Sequence, residues 1–143
     1  MIAVVAMKEE VSLLPKDYTG KCIITGAGAV NVIEALRDID RETQILNVGY
    51  AGSNTLPVGT KVTIGKSKMY HPNVEISENE YDLGGGITCY TSNDFVLSTE
   101  VKEPCVFDME LAFIMALGFK NVVSEKTVSD NLSLDEFEKN KNR

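Results

Sequence analysis

Positive charge and histidine are scarce in this chain, and their scarcity excludes two classes of function. Only three arginines are present, Arg37, Arg41 and Arg143, and the formal net charge is -7. Nucleic-acid binding depends on clustered lysine and arginine, so we expect no nucleic-acid partner. The single histidine, His71, has no cluster of possible ligands around it, so we expect no metal site.

Cysteine is also sparse, which bears on the cellular compartment that we expect for the protein. Cys22, Cys89 and Cys105 are odd in number, far apart and without a CxxC spacing, so we expect reduced, mostly buried thiols in a cytoplasmic protein. The apolar opening residues end at Lys8-Glu9-Glu10 and follow no basic segment, which argues against a signal peptide. No apolar run approaches the roughly 20 residues of a membrane helix, so we expect no membrane partner.

The length and the order of apolar segments predict the fold class. A chain of 143 residues, 43% of them hydrophobic, is typical of one globular domain, here residues 1–143. The apolar runs predict strands at 2–6, 22–25, 45–48, 61–69, 87–90, 106–107 and 121–128. Helices are predicted at 29–39, at 109–117 and after Ser133. This alternation predicts a single α/β domain with a central mixed, mostly parallel sheet flanked by helices.

Acidic residues follow three of the predicted strands. Glu9 and Glu10 follow the first strand, Asp108 and Glu110 lie at a strand-to-helix junction, and Asp130 follows the last strand. Ligands of open α/β sheets bind at the carboxyl ends of strands, so these acids could share one site. A structural interpretation stays open for each: a helix start favoured by the macrodipole, a helix N-cap, or a loop residue.

Seven short motifs occur in a characteristic order along almost the whole chain. They are Ala-Met-Lys-Glu-Glu-Val at 6–11, Gly-Ala-Gly-Ala-Val-Asn at 26–31, Asn-Val-Gly-Tyr-Ala-Gly at 47–52, Val-Gly-Thr-Lys-Val at 58–62, Asp-Met-Glu at 108–110, Ser-Asp at 129–130 and Ser-Leu-Asp-Glu-Phe at 133–137. The glycine turn at 26–28 lacks the third glycine of a dinucleotide fingerprint. Taken together, the motifs resemble those of methylthioadenosine/S-adenosylhomocysteine nucleosidases, in the nucleoside phosphorylase superfamily, and indicate a shortened member.

The resemblance implies a role for each acid. Asp130 would be the general acid at purine N7, Glu10 would activate the attacking water, and Glu110 would bind the ribose hydroxyls. The remaining substrate contacts that it implies are Met7, Tyr50, Phe95, Val96, Met109 and Leu134. Among these, Phe95 would stack on the base and Leu134 would lie near the 5′ substituent. Tyr50 stands where the family has a small serine.

The activity implied is hydrolysis of the N-ribosidic bond of a purine nucleoside, with release of the free base and no cofactor. The family is typically dimeric, so we expect a homodimer in which the segment at 70–74 helps a partner subunit to close the pocket. A phosphorylase is an alternative, although no arginine lies in a matched motif and phosphate sites are usually built from Arg, Lys and backbone N–H groups. A non-catalytic relative that binds a nucleoside or a protein is the other alternative.

Overall fold

The computed structural model describes residues 1–71 and 80–141. Its strands are β1 (Ile2–Val5), β2 (Lys21–Ile24), β3 (Gln44–Ser53), β4 (Lys61–Met69), β5 (Glu80–Asp82), β6 (Ile87–Thr91), β7 (Cys105–Asp108) and β8 (Asn121–Asp130). Its helices are a 3₁₀ helix (Lys8–Leu13), α1 (Ala29–Leu36), α2 (Leu111–Ala116) and α3 (Leu134–Asn140).

The sheet is mixed, and part of it closes on itself. The pairs β1–β2, β1–β3, β3–β8, β4–β6 and β6–β7 are parallel, whereas β3–β7, β4–β5 and β4–β8 are antiparallel. Following the pairs from β3 through β7, β6, β4 and β8 leads back to β3, so these strands form a barrel. The predicted mixed α/β fold is confirmed. Its closure was not predicted, because the closing pairs join strands that are remote in sequence.

Strand β3 is longer than its sequence indicates. We predicted a loop from Gly49 to Gly59, because glycine and proline punctuate that stretch. The structure instead continues the strand to Ser53, and β8 pairs with it as far as Gly52. The glycines are therefore strand residues at which side chains from other elements come close to the backbone.

The core lies within the barrel and beneath the first two α-helices. Val32 and Leu36 on α1 and Leu111 and Ile114 on α2 are fully buried in one apolar cluster with the strands. Burying each such side chain stabilises the fold by about 1.5–3 kcal/mol. Of the three free thiols, those of Cys89 and Cys105 are buried and that of Cys22 is half-buried. None of the described helices is long and apolar enough to cross a membrane.

Strand β5 lies in a stretch that we had predicted to be an exposed excursion, from His71 to Leu83. It pairs antiparallel with β4, and its register places Tyr81 opposite Ser67. A strand of three residues offers too short an alternation to be recognised in sequence. The rest of that stretch, residues 72–79, lies outside the described residues.

The strand directions bring several chain segments to one end of the barrel. Because β1, β3 and β8 are parallel, their carboxyl ends lie together, and β7 enters the same region from its antiparallel pairing with β3. The 3₁₀ helix follows β1, α2 follows β7, and α3 follows β8. The segments that carry the predicted acids therefore meet there.

Candidate active site

A pocket opens at this end of the barrel. It holds about 630 Å³ of unfilled space, counting the part open to solvent, which is within the usual size range for small-molecule sites. Its lining is mostly apolar and aromatic, with carboxylates at one side. The lining residues are Ala6, Met7, Glu10, Ala27, Tyr50, Ala51, Gly52, Phe95, Val96, Phe107, Asp108, Met109, Glu110, Ser129, Asp130 and Phe137.

Glu10 is buried and held by the backbone. Its Oε1 accepts hydrogen bonds from the N–H groups of Ala6 (2.8 Å) and Met7 (3.1 Å), and its Oε2 accepts one from Tyr50 (2.7 Å). Burial raises the pKa of Glu10, against the opposing effects of Lys126 and of these three donors. The side chain is thus fixed in place, with a greater affinity for a proton than an ordinary carboxylate has.

Glu110 presents its two carboxylate oxygens to different surroundings. Oε1 lies 2.6 Å from Nζ of Lys126, whereas Oε2 accepts only one long hydrogen bond, 3.3 Å from the N–H of Met109. Burial raises the pKa of Glu110 to about 8, Lys126 opposes the shift, and Asp108 and Glu10 add to it. Oε2 therefore retains capacity to bind a ligand hydroxyl.

Both carboxylate oxygens of Asp108 are engaged in contacts within the protein. Its Oδ1 accepts a 2.5 Å hydrogen bond from the hydroxyl of Thr91, and its Oδ2 accepts bonds from the N–H of Leu111 (2.9 Å) and from Lys126 (3.0 Å). The N-cap position of α2 is Glu110 and not Asp108, so the structural interpretation of Asp108 as the N-cap is wrong, although the bond from Leu111 ties Asp108 to the first residue of that helix. Asp108 accepts from a hydroxyl, an N–H group and an ammonium, so both of its oxygens are engaged within the protein.

Lys126 is a buried residue of this site that the sequence analysis missed. Its Nζ lies between Asp108 and Glu110, and its side chain has no exposed surface. Burial lowers the pKa of Lys126, but the facing carboxylates raise it by more, so the net shift is upward and the ammonium stays charged. The alternation along β8 was the available signal, since position 126 falls in the inward series with Val122, Ser124 and Val128.

Asp130 ends β8 and lies apart from the lysine. Its Oδ1 accepts from the hydroxyl of Ser129 (2.8 Å), and its Oδ2 accepts from the N–H groups of Leu132 (3.0 Å) and Ser133 (3.3 Å). Burial raises the pKa of Asp130, and these three donors oppose the rise. No cation is paired with this carboxyl in the described part of the chain, so burial favours its protonated form.

Two glycines of β3 make room for the acids. A Cβ atom on Gly49 would lie 2.7 Å from Oε2 of Glu10 and 3.1 Å from Oε1 of Glu110, and one on Gly52 would lie 2.9 Å from Oδ2 of Asp130. A bulge accompanies them, because Ala51 pairs with Val128 and Gly52 with Asp130. Bulges of this kind re-aim side chains near sites. The Asn-Val-Gly-Tyr-Ala-Gly motif thus supplies the space for the carboxylates.

The opposite wall of the pocket is aromatic. Phe95 and Val96 line it as the sequence analysis expected, and Phe137 of α3 contacts Phe95 with ring centroids 5.6 Å apart. Phe137 was not among the expected site residues. Leu134, which was, is 51% exposed and does not belong to the described lining. Helix α3 turns position 134 outward and position 137 toward the pocket.

The structure brings eight of the nine expected site residues into the pocket lining and leaves out Leu134. Those in the lining are Met7, Glu10, Tyr50, Phe95, Val96, Met109, Glu110 and Asp130. Tyr50 is buried, and its N–H donates to Oε2 of Glu10. The pocket thus combines a carboxyl with a raised proton affinity beside an aromatic wall and two further carboxyls near a buried ammonium.

Neither a family model nor a curated protein matches this sequence, but solved structures match its fold. The CT263 protein (MTAN) of Chlamydia trachomatis aligns with a TM-score of 0.77 at 18% identity, over 98% of this chain and 88% of that one. The S-adenosylhomocysteine nucleosidase of Streptococcus pyogenes, solved with 5-methylthiotubericidin, aligns with a TM-score of 0.74 at 17% identity, over 96% and 87%.

Futalosine hydrolase of Helicobacter pylori shares the same architecture, with a TM-score of 0.73 at 14% identity over 99% of this chain and 90% of that one. MTAN stands for 5′-methylthioadenosine/S-adenosylhomocysteine nucleosidase, and the H. pylori protein of that name matches with a TM-score of 0.73 at 16% identity. This chain therefore has the fold of these nucleosidases. The resemblance drawn from its motifs is confirmed at the level of the fold.

Removing the buried ammonium should destabilise the protein strongly. In Lys126→Met the carboxylate of Asp108 loses the ammonium 3.0 Å away and Glu110 loses its hydrogen-bond donor at 2.6 Å, and breaking a buried pair in this way costs about 3–5 kcal/mol. Urea unfolding measures the loss. The matched control is Lys120→Met, because Lys120 and Glu42 pair at 2.7 Å with side chains 67% and 66% exposed. That pair is worth at most about 1 kcal/mol, so equal losses in the two variants would contradict the assignment.

The raised pKa of Glu110 should appear in the pH dependence of stability. Between pH 4.5 and about 8 the folded chain keeps a proton that the unfolded chain releases. Stability is therefore highest below this window and falls as pH rises through it, by at most about 1.4 kcal/mol per pH unit. We expect Glu110→Gln to make the decline in Tm shallower. Glu34→Gln, which alters an exposed carboxyl on α1, should leave the slope unchanged. Parallel curves for wild type and Glu110→Gln would refute the prediction.

Proposed function

We propose that this chain is a single-domain nucleosidase of the methylthioadenosine/S-adenosylhomocysteine nucleosidase family. In this proposal it hydrolyses the N-ribosidic bond of a purine nucleoside. The observation that carries the proposal is the division of the carboxyls within one pocket. Asp130 has no paired cation among the described residues, whereas Glu110 contacts Lys126 directly and the pKa of Glu10 is lowered by the same lysine. Breaking an N-ribosidic bond requires such a division, because negative charge develops on the departing base and positive charge on the sugar.

Asp130 has the properties of the acid that protonates the leaving base. Its pKa is raised by burial, and a group of this kind holds a proton closer to neutral pH than an exposed aspartate does. As the bond between C1′ and N9 breaks, the electron pair moves into the purine, and the proton of Asp130 passes to N7. Phe95 lines the same pocket, and in this proposal its ring stacks on the base.

Glu10 has the properties of the base that activates water. Its carboxylate is held by three backbone N–H groups, and burial raises its pKa, so it accepts a proton more readily than an exposed glutamate. The water oxygen forms the new bond to C1′, and the proton that it loses passes to Glu10. The products are the free purine and the ribose derivative.

Glu110 is placed to bind the sugar. Among the described residues, its Oε2 accepts only one long hydrogen bond, which leaves it available to a ribose hydroxyl. A pKa of about 8 means that Glu110 carries a proton in a large share of molecules at neutral pH. Positive charge that develops on the ribose favours the ionised form, so the interaction strengthens as the transition state forms.

Water is the nucleophile that the pocket favours over phosphate. Phosphorolysis needs a phosphate site, and such sites are usually built from arginine, lysine and backbone N–H groups. The described lining contains neither arginine nor lysine, while it contains Glu10. We therefore propose hydrolysis, with methylthioadenosine and S-adenosylhomocysteine as the first nucleosides to test.

The decisive experiment is the release of free base from a nucleoside panel, with and without phosphate. The panel is methylthioadenosine, S-adenosylhomocysteine, adenosine, inosine and futalosine. We expect phosphate-independent release that falls by about 10²–10⁴-fold in Asp130→Asn, because the general acid is lost. Asp135→Asn, at an exposed position in the first turn of α3, is the control and should retain activity. Nucleoside binding without release of base from any member would instead support a non-catalytic relative.

We also propose that the chain forms a homodimer through the mouth of the pocket. Exposed apolar side chains lie on segments that border it: Val30 and Ile33 on α1, Leu97 beside Phe95 and Val96, and Leu134 on α3. Such groups favour association because it removes apolar surface from water. Of the segment at 70–74, which the sequence analysis assigned to the same contact, residues 72–74 lie outside the described residues.

A charge placed in this apolar group should dissociate the dimer. Val30 is 73% exposed, so Val30→Asp leaves the core intact and places a carboxylate in the proposed interface. Light scattering at micromolar concentration should give a dimer mass for the wild type and a monomer mass for this variant. Val123→Asp is the control, since Val123 is 50% exposed near the start of β8, away from the pocket. A monomeric wild type would disprove the proposal.

A further inference from the structure

Helix α3 is fastened to the rest of the molecule at both ends. At its start the hydroxyl of Ser133 accepts from the N–H of Glu136 (3.2 Å), while the carboxylate of Glu136 accepts from the N–H of Asn131 (2.9 Å). At its end the buried Asn140 donates from Nδ2 to the carbonyl of Ser129 (3.0 Å). Lys141 follows the helix and lies 3.7 Å from Oε2 of Glu9.

The segment between Asp130 and α3 is short and conformationally restricted. Only Asn131 and Leu132 separate Asp130 from the capping residue Ser133, and Leu132 has a positive φ of 63° that non-glycine residues seldom adopt. The side chain of Asn131 donates to the carbonyls of Ser53 (3.1 Å) and Leu56 (2.8 Å). Helix α3 is therefore held at a set position relative to Asp130 and β3.

Phe137 is the residue through which this fixed helix reaches the pocket. Its ring contacts that of Phe95 at 5.6 Å, tilted by 59°, while the ammonium of Lys141 lies 5.8 Å from its centroid. The ring of Phe137 thus lies between the ring of Phe95 and the ion pair that Lys141 forms with Glu9. One turn earlier on the same helix, Leu134 points to solvent.

We propose that Phe137 is a specificity-determining residue that limits the size of the ligand this pocket accepts. Because α3 is anchored at both ends, its backbone holds Phe137 at a set position, and a bulky substituent is admitted only if the ring rotates away from Phe95 and Lys141 or the helix shifts. The inference rests on the proposed function in taking the ligand to be a purine nucleoside.

The test compares Phe137→Ala with Leu134→Ala, two apolar truncations on one helix, only one of which lines the pocket. The ligands are adenosine, N6-methyladenosine and N6-benzyladenosine, which share a ribose and increase in size at the base, the part of the ligand that Phe95 contacts in the proposed function. We expect Phe137→Ala to raise kcat/KM for N6-benzyladenosine relative to adenosine by about 10-fold or more, the scale on which small volume changes alter discrimination in apolar pockets. The ratio for Leu134→Ala should stay within about 2-fold of wild type. A ratio that is unchanged in Phe137→Ala, or that shifts equally in both variants, overturns the proposal.

Two further measurements test the role of Phe137 even if Phe137→Ala does not fold or the proposed reaction does not occur. Phe137→Leu preserves apolar volume near the core, so it replaces Phe137→Ala if the latter unfolds, and a smaller shift in the same direction is then expected. If no nucleoside is hydrolysed, calorimetric Kd values for the same three compounds give the same comparison. A size-dependent change in binding would then uphold the role of Phe137 although the proposed reaction had failed, and binding ratios that do not change would overturn it.

Discussion

The ion pairs of Lys126 determine how charge can be distributed at this end of the barrel. Glu10, Asp108 and Glu110 are all buried, and three buried carboxylates without a cation would repel one another in a medium that solvates none of them well. Lys126 contacts two of the three directly and lowers the pKa of the third from a greater distance. One ammonium cannot fully balance three carboxylates, so at least one of them retains a raised affinity for protons. Burial is the main reason that the pKa of Glu110 is raised to about 8, and the carboxylates of Asp108 and Glu10 add to the rise.

The carboxyls of the pocket differ in their distance from Lys126 and therefore in their electrostatic surroundings. Asp130 enters the pocket from the end of β8, where hydrogen bonds from Ser129, Leu132 and Ser133 hold it and the lysine does not. The strands of a single sheet thus deliver three carboxyls whose pKa burial raises, one of them apart from Lys126 and two within the field of that cation. The glycines of β3 permit this arrangement, because a side chain at Gly49 or Gly52 would occupy the positions of carboxylate oxygens.

Local sequence patterns predicted a large part of the fold and the positions of the acids. Continuous apolar runs located β1 and β2, alternation located β4, and Ser133 with Glu136 marked the start of α3, since these signals depend only on neighbouring residues. Acids that follow strands were correctly placed at strand ends. What local patterns do not contain is which strands pair, so the closure of the barrel and the continuation of β3 through its glycines were missed.

The two site residues that the sequence analysis missed, Lys126 and Phe137, were missed for the same physical reason. Lys126 looks like an ordinary surface lysine unless its position in the alternation of β8 is recognised, since it falls in the buried series whereas Val123 and Glu125 on the other face are exposed. The choice between Leu134 and Phe137 depends on how α3 is oriented over the pocket, and the contacts of Asn131 and Asn140 set that orientation. Both residues depend on contacts between segments that are distant in sequence, whereas the motif at 133–137 reports only that a helix begins there.

The likeness of this chain to nucleosidases at 14–18% identity is understandable in these terms. Most positions of a barrel need only be apolar and of suitable volume, so many sequences satisfy the packing. The site is more demanding, because moving a buried carboxyl by the width of one methyl group changes which partner it meets and therefore its pKa. The short connection from Asp130 to α3 adds a constraint, since it places the acid and the aromatic wall on one hydrogen-bonded unit. In the proposed mechanism, proton donation and ligand size are therefore physically coupled, and a change that moves α3 would alter both.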